Sequence, residues 1–276
     1  MDRIRLIASD MDATLLDEQS QLPADFEETI YALAELGIRF APASGRPLYT
    51  LEAMFPTLQD ELVFIGDNGG AIRWKGQNLF TSEMSPEGWR ALNRLTREQG
   101  DIAVLCGLES AYVERPFAVH DAVLRHFYTK IEYVDRLEDV AAPADKFTIY
   151  LPQHNAQQAY DTVYASQRSI YSVAVAGECW VDIMNPGVHK GAALQTLGQL
   201  WGLPSESMMA FGDTYNDAEM LRTAKYGFLM ENGSVPLRQK VPFLAPSHRE
   251  AGVMQVLHRV LAQNGFVCPE DFVPAH

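Results

Sequence analysis

Two periodicities of apolar and polar residues alternate along the first seventy positions. The stretch "MDRIRLIA" alternates and then becomes continuously apolar, which predicts a buried strand, whereas residues 23–36 have helical spacing. Pro23 is placed to open that helix and Gly37 to close it. A second strand "IRFAPAS", a helix over 48–56 and a short strand "LVFIG" follow. This alternation predicts a parallel sheet with helices on its faces, and ligands collect at the carboxyl ends of such strands.

The pattern changes at about residue 71. Residues 71–74 and 79–81 predict a short hairpin, and "SPEGWRALNRLTREQG" then has the spacing of a helix. Helical segments over 118–128 and 155–167 are mixed with the alternating strands "KFTIYLP", "SVAVAG" and "CWVDIMN". Strands of period two with intervening helices predict a separate α+β unit with an antiparallel sheet.

The alternation of strands and helices resumes after "NPGVHKGAAL". It comprises a helix over 190–201, the strand "MMAFGD", a helix over 216–223, the strand "YGFLM" and a helix over 250–263. We therefore predict an α/β fold with a doubly wound, Rossmann-like parallel-sheet core formed by residues 1–82 and 186–276. An α+β cap domain, residues 83–185, is predicted to be inserted into this core.

Composition narrows the classes of partner. The chain of 276 residues carries 36 acidic and 22 basic side chains, a formal charge of -14, which argues against nucleic acid polymers and anionic membrane surfaces. No apolar stretch approaches the roughly 20 residues that span a bilayer, and no secretion signal is apparent, so we expect a cytoplasmic protein. Cys106, Cys179 and Cys268 lack metal-binding spacing and are expected to be reduced and structural.

Polar residues follow three of the predicted core strands. Asp10 and Asp12 come after the first strand, Ser44 to Arg46 after the second, and Gly212 to Asp217, "GDTYND", after "MMAF". Taken alone, Asp10 and Asp12 are equally consistent with turn residues that cap a helix. Acids gathered at one sheet edge repel each other, however, and a divalent cation is the simplest way to offset that repulsion. Mg²⁺ prefers one or two carboxylates together with water and phosphate oxygens.

Such a set of residues suits phosphoryl transfer. One carboxylate can attack phosphorus and form an aspartyl-phosphate, while a second acid protonates the departing oxygen. Ser44, backbone N–H groups and a lysine could hold the phosphoryl oxygens. Lys190 opens a helix, where a cation opposes the helix dipole, and this local cost favours a functional role over a solvated one. Asp213 and Asp217 could, without the other motifs, simply cap the helix that follows them.

Four motifs together carry a family resemblance. In chain order they are "DMDATLL", "SGRP", "NPGVHKGAAL" and "GDTYNDAEML", with an insertion of about a hundred residues between the second and the third. They resemble the haloacid dehalogenase superfamily, specifically its Cof-type phosphatases with the larger α/β (C2B-type) cap. The resemblance spans essentially the whole chain. It implies a Mg²⁺-dependent phosphatase with a doubly wound core and a mobile cap.

The resemblance also implies residue roles. Asp10 matches the nucleophile and a metal ligand, and Asp12 matches the general acid and base, with its backbone carbonyl on the metal. Asp213 matches the metal-binding acid, and Lys190 matches the lysine that neutralises nucleophile and phosphate. Asp217 is expected to orient Lys190 or a metal-bound water. The residues expected to bind phosphate or substrate are Met11, Ser44, Gly45, Arg46, Asn68 and Asn216.

Some positions depart from this pattern or invite a second role. Ala13 stands where the family usually has glycine, and we expect its φ to lie in the ordinary negative region, where alanine costs little. His189 is expected to be a helix-start residue at the surface rather than a substrate contact. Trp180 and Tyr171 are expected to pack the cap rather than to form a platform for substrate.

The expected substrates are phosphomonoesters of small metabolites. Sugar phosphates are expected first, and phosphorylated precursors of cofactors such as flavin or pyridoxal second. The cap, rather than the catalytic chemistry, is expected to determine which of them the protein accepts. Two alternatives stay open: a phosphomutase of the same superfamily and a non-catalytic sensor of a phosphate ligand. The chain lacks a P-loop and a dinucleotide-binding glycine motif, and it carries no signal for an oligomeric state.

Overall fold

A computed structural model describes all residues, 1–276, of the chain. It contains 17 strands and 8 α-helices. The strands are β1 (Asp2–Arg3), β2 (Leu6–Ser9), β3 (Arg39–Pro42), β4 (Val63–Gly66), β5 (Ala71–Trp74), β6 (Gln77–Thr81), β7 (Ile102–Gly107), β8 (Ala111–Glu114), β9 (Ile131–Val134), β10 (Ala144–Tyr150), β11 (Ser172–Val175), β12 (Trp180–Met184), β13 (Met208–Gly212), β14 (Tyr226–Met230), β15 (Phe243–Ala245), β16 (Phe266–Val267) and β17 (Val273–Pro274). The helices are α1 (Phe26–Glu35), α2 (Leu48–Ala53), α3 (Pro86–Gln99), α4 (Asp121–Phe127), α5 (Ala156–Thr162), α6 (Lys190–Trp201), α7 (Ala218–Thr223) and α8 (Gly252–Ala262).

The core is built on a sheet with the strand order β17-β15-β14-β13-β2-β3. The five strands from β15 to β3 pair in parallel, and only the edge strand β17 runs antiparallel. Successive side chains of β2 enter opposite layers: Ile7 packs with α1 and α8, whereas Leu6 packs with α6 and α7. Helices therefore cover both faces of a parallel sheet, and the predicted doubly wound core is confirmed.

The strand "LVFIG" differs from its predicted place. It forms β4, which pairs antiparallel with β5 in a separate three-stranded sheet, β4-β5-β6. Only two isolated parallel bridges, Phe40 to Leu62 and Ala43 to Ile65, join it to β3. The backbone groups of β4 pair with β5, the next strand in sequence, and β5 pairs in turn with β6. These local pairings place β4 in the small sheet instead of the core sheet.

The inserted unit contains a second sheet with the order β11-β12-β10-β7-β8-β9. Its pairs are antiparallel, as predicted, except for the parallel pair β8 and β9. Phe147 and Val181 face α3 and α5 on one side of this sheet. Because side chains alternate along a strand, Lys146, Thr148 and Asp182 lie on the opposite face. That second face becomes one wall of the functional site.

Several predicted element boundaries were wrong. The first strand is interrupted after Arg3, and α1 begins at Phe26 rather than at Pro23. The helices predicted over 118–128 and 155–167 each contain a short 3₁₀ segment, so α4 and α5 are shorter than expected. Helix α6 has the predicted bounds. No helix combines the length and the apolar character needed to cross a bilayer, and the three cysteines are free.

Candidate active site

A cleft of about 510 Å³ lies between the core sheet and the second sheet. Its core side is formed by the loops that leave the carboxyl ends of three adjacent parallel strands, β3, β2 and β13. Asp10 and Asp12 follow β2, Ser44 follows β3, and Asp213 follows β13. The adjacency of these strands explains why residues far apart in sequence share one site.

Lys190 is the buried centre of this site. Its Nζ donates to Oδ1 of Asp10 at 2.5 Å and to Oδ1 of Asp217 at 2.7 Å, and its side chain has no exposed surface. Lys190 is the first residue of α6, and the dipole of a helix disfavours a positive charge at its N-terminus. The two carboxylates must therefore offset this unfavourable interaction as well as the cost of removing the ammonium group from water. Burial alone would lower the pKa of Lys190, but Asp10 and Asp217 together raise it.

The acids around Lys190 exceed the charge that one lysine can neutralise. Carboxylate oxygens of Asp10, Asp213 and Asp217 lie within 4.8 Å of one another. Burial, reinforced by the charge of Asp217, raises the pKa of Asp10 to about 7 and that of Asp213 to about 6. The protein has thus gathered more negative charge than it compensates, which is the electrostatic condition for binding a cation.

The oxygens of Asp217 are already engaged. Oδ1 accepts from Lys190, and Oδ2 accepts from the backbone N–H groups of Asp213 at 3.0 Å and Thr214 at 3.3 Å. In contrast, the lysine bonds only Oδ1 of Asp10, which leaves Oδ2 available. Asp10 and Asp213 are therefore the side chains best able to hold a metal ion. Asp217 caps the turn that follows β13 and orients the lysine at the same time.

Asp12 is placed differently from Asp10. Its side chain is 60% exposed, and it accepts two hydrogen bonds from the guanidinium group of Arg46, at 2.5 and 3.0 Å. Both residues line the cleft. A bidentate pair restrains the carboxyl group without burying it, because planar guanidinium and carboxylate groups match geometrically. The two aspartates of the opening motif thus have distinct surroundings, one buried on a lysine and one exposed on an arginine.

The other residues predicted for substrate binding are distributed along the cleft. Ser44 is buried, and its Oγ accepts the N–H of Arg46 at 3.1 Å. Gly45, Asn68 and Asn216 also line the cleft. The side chain of Met11, however, is fully buried in the core and does not line the cleft, so only its backbone is available for phosphate.

The conformation of Ala13 overturns one expectation. Its φ is 57° and its ψ is 13°, in the left-handed region, whereas the sequence-based prediction placed φ in the ordinary region. The chain must turn sharply after β2, and the carbonyl of Ala13 is then fixed by a hydrogen bond of 2.8 Å from Asn232. A Cβ in this conformation costs roughly 1 kcal/mol relative to glycine.

The structure also tests the secondary roles assigned from sequence. His189 is the N-cap of α6, and its Nδ1 accepts the N–H of Ala192 at 3.1 Å, which confirms a helix-start role. Tyr171 packs in the cap, as predicted. Trp180 packs in the cap as well, but it also lines the cleft, so the prediction of a packing role alone was incomplete.

Sequence reasoning missed a charged cluster that joins the two units. Lys146, on β10, donates to the carbonyl of Gly45 at 2.6 Å and pairs with Asp67 at 2.9 Å. Asp182, on β12, accepts from Asn68 at 3.0 Å and from Thr148 at 2.8 Å. In the sequence, the only signal of Lys146 and Asp182 is that each is a charged residue within an apolar strand. An ordinary solvent-facing residue of a strand gives the same pattern.

Comparison with known proteins gives the family. A sequence-family model of the haloacid dehalogenase-like hydrolases matches residues 7–257 of this chain. The 5-amino-6-(5-phospho-D-ribitylamino)uracil phosphatase YbjI of Escherichia coli (strain K12) is 32% identical over 94% of this chain and 96% of its own length. The HMP-PP phosphatase of Cronobacter sakazakii (strain ATCC BAA-894) is 31% identical over 87% of this chain and 89% of its own.

Solved structures agree with this result. The protein SMU.1108c of Streptococcus mutans UA159 superposes with a TM-score of 0.83 at 29% identity, over 94% of this chain and 99% of that one. A HAD/COF-like hydrolase of Plasmodium vivax has the same fold, with a TM-score of 0.84 at 18% identity over 95% and 97% of the two chains. The fold and the site define a hydrolase with a capped α/β core. The chain belongs to the haloacid dehalogenase-like hydrolase family, and the resemblance inferred from its motifs is confirmed.

Proposed function

We propose that this protein is a Mg²⁺-dependent phosphatase that hydrolyses phosphomonoesters of small metabolites through an aspartyl-phosphate intermediate. The observation that carries the proposal is the buried lysine bonded to Asp10 and Asp217, with Asp213 beside them, at the carboxyl ends of β2 and β13. The two relatives of highest identity described above are named as phosphatases, which supports the same class of reaction.

The donor set suits magnesium. Asp10 and Asp213 supply carboxylate oxygens, and no sulfur or imidazole ligand accompanies them, so the site favours a hard cation. The backbone carbonyl of Asp12 is the third proposed ligand. When bound, the ion neutralises negative charge on the carboxylates and on the phosphoryl oxygens. Burial, reinforced by the charge of Asp217, raises the pKa of Asp10 to about 7, and a cation at this site would relieve the repulsion between the two carboxylates.

In the proposed reaction a carboxylate oxygen of Asp10 attacks phosphorus, and the bond from phosphorus to the ester oxygen breaks. Asp12 gives a proton to that departing oxygen. Asp12 then takes a proton from water, the water oxygen attacks the phosphorus of the aspartyl-phosphate, and inorganic phosphate and the Asp10 carboxylate are released. Asp12 is placed for both proton transfers because its exposed carboxyl group lies in the cleft. Its pair with Arg46 engages both carboxylate oxygens, so that pair has to open before Asp12 takes up and donates a proton.

The remaining residues of the site hold the phosphoryl group and the substrate. We assign the phosphoryl oxygens to Lys190, the hydroxyl group of Ser44, and the backbone N–H groups of Met11 and Gly45. Fixed donors of this kind stabilise the charge that develops during transfer. We assign contacts with the rest of the substrate to the side chains of Arg46, Asn68 and Asn216, all of which line the cleft.

We further propose that residues 1–82 and 186–276 form the catalytic core and residues 83–185 the cap. The two chain crossings are held together by Asn185, whose Nδ2 donates to the carbonyl of Glu83 at 2.8 Å and to Oγ of Ser82 at 3.1 Å. A joint bonded in this way at both connections can act as a hinge for a rigid cap.

The proposed substrates are sugar phosphates or phosphorylated precursors of cofactors. The relative from Escherichia coli is named for a phosphate ester that carries an amino-substituted uracil ring, and this supports the second group. The formal charge of -14 argues against nucleic acid polymers as partners.

The experiment that tests the proposal is hydrolysis of p-nitrophenyl phosphate with Mg²⁺ and with EDTA, followed by phosphate release from a panel of metabolites. We expect release that requires Mg²⁺ and that is lost in Asp213→Asn. The matched control is Asp135→Asn, an exposed acid of the cap that is 85% accessible. Folded protein that releases no phosphate from any ester under these conditions would overturn the proposal.

A further inference from the structure

The segment that follows β14, residues 231–234, is bonded to both of the loops that carry the proposed magnesium ligands. The side chain of Asn232 donates from Nδ2 to the carbonyl of Ala13 at 2.8 Å, in the turn after β2. The backbone N–H of Ser234 donates to the carbonyl of Asp213 at 2.7 Å, in the loop after β13. One short segment therefore connects the two sides of the candidate site.

Asn232 is held firmly in its own place. The segment lies so close to Asp213 that a Cβ at Gly233 would stand 2.7 Å from the Asp213 carbonyl oxygen, nearer than real Cβ atoms approach. The amide group of Asn232 is oriented as well, because its Oδ1 accepts the N–H of His248 at 3.0 Å. Turning that amide over would lose both of its hydrogen bonds. Asn232 can therefore act as a fixed anchor for the turn that it contacts.

Ala13 is the residue that needs such an anchor. Its φ of 57° costs an alanine roughly 1 kcal/mol, which corresponds to about a fivefold preference for a negative φ. Rotation about φ turns the peptide group between Asp12 and Ala13 relative to the carbonyl of Ala13. That peptide group contains the backbone carbonyl of Asp12, which is the third proposed ligand of Mg²⁺. The conformation of Ala13 thus sets the direction of this carbonyl.

We infer that Asn232 is a positioning residue, which holds Ala13 in the left-handed conformation and thereby fixes the direction of the Asp12 carbonyl. The dependence on Asn232 follows from the alanine, because a glycine adopts a positive φ without steric cost. The inference rests on the proposed phosphatase function, in which the Asp12 carbonyl binds the metal ion.

The first measurement is the Mg²⁺ concentration that gives half-maximal hydrolysis of p-nitrophenyl phosphate. Asn232→Ala should raise it by at least about fivefold, because the competent conformation of Ala13 is then less populated. In the Ala13→Gly background the same substitution should raise it by less than about twofold. Asn232 is exposed, so the variant should fold. The matched control is Asn155→Ala in the cap, which removes an Oδ1 without a hydrogen-bond partner and should change nothing.

The second measurement needs neither substrate nor turnover. The turn around Ala13 is closed by the N–H of Leu16, which donates to the carbonyl of Met11 at 2.9 Å. Amide hydrogen exchange of residues 11–16, followed by mass spectrometry, should be at least about fivefold faster in Asn232→Ala than in the wild type. Exchange of these residues in Asn155→Ala should match the wild type.

Three results would overturn the inference while the phosphatase function stands: an equal rise of the Mg²⁺ requirement in both backgrounds, no rise in the wild-type background, or unchanged exchange of residues 11–16. A wild-type protein that hydrolyses no ester would instead contradict the phosphatase function. The exchange measurement then decides the inference alone, because faster exchange in Asn232→Ala supports the anchoring of Ala13 and unchanged exchange refutes it.

Discussion

Nζ of Lys146 lies 2.6 Å from the carbonyl oxygen of Gly45, so a buried ammonium group of the cap is bonded directly to the loop that follows β3. The same group pairs with Asp67 in the loop that follows β4. The cap is thus attached to the two core loops that border Ser44 and Asn68. Removing the positive charge would leave buried carboxylates without a partner, which costs more than the loss of an exposed ion pair.

Lys146→Met is therefore expected to reduce the free energy of unfolding by about 3–5 kcal/mol. Urea denaturation of the purified protein measures this change. Lys240→Met is the matched control, because Lys240 is exposed, and its effect should stay within about 0.5 kcal/mol. Equal stabilities of the two variants would show that the cluster around Lys146 does not hold the cap to the core.

Asp12→Asn is expected to reduce kcat by about 10²- to 10⁴-fold, because proton transfer by a positioned acid contributes that much. The loss should be greater for phenyl phosphate than for p-nitrophenyl phosphate, since the nitrophenolate leaves with little help from a proton. Steady-state rates with both esters measure the difference. Equal losses for the two esters would contradict a role for Asp12 as the acid that protonates the leaving oxygen.

Ala13→Gly is expected to stabilise the protein by about 0.5–1 kcal/mol, because glycine adopts a positive φ without steric cost. The matched control is Ala32→Gly, in the interior of α1, which should destabilise by about 1 kcal/mol. Thermal unfolding of both variants gives the two signs. If Ala13→Gly destabilises as Ala32→Gly does, then Ala13 is not strained.

Asp145→Asn gives a prediction about pH. In the folded protein the pKa of Asp145 is raised by burial and by Asp67, whereas in the unfolded chain it stays near 3.8. At pH values between these two pKa values, Asp145 is protonated in the folded protein and ionised in the unfolded chain, so unfolding releases a proton. The free energy of unfolding of the wild type therefore falls as pH rises, by up to about 1.4 kcal/mol per pH unit. Asparagine does not titrate, so the free energy of unfolding of the variant, relative to that of the wild type, should increase with pH.

Urea denaturation of Asp145→Asn and the wild type from about pH 5 to about pH 8 measures this difference. Asp135→Asn, an exposed substitution, should show no such trend. A constant difference between Asp145→Asn and the wild type across this range would mean that Asp145 titrates alike in the folded and unfolded states.

The core and the candidate site residues at its sheet edge were predictable because they follow local rules. Apolar strands ending in acids place Asp10 and Asp213 at one sheet edge, and a lysine at a helix start signals a compensating partner. Lys146 and Asp182 were not predictable, because a charge in an alternating strand has the pattern of a solvent-facing residue. Only the docking of the cap against the core buries them. Ala13 was mispredicted because its φ is set by the turn after β2 and by Asn232.

The central claim, that Asp10 is the nucleophile, is tested most directly by the turnover of Asp10→Asn with p-nitrophenyl phosphate and Mg²⁺, measured beside Asp135→Asn. Asparagine fills nearly the same volume and keeps an oxygen for Lys190, so the variant should fold. The proposed mechanism predicts no turnover above background for Asp10→Asn and wild-type turnover for Asp135→Asn. A folded Asp10→Asn protein that hydrolyses the ester at the wild-type rate would contradict it.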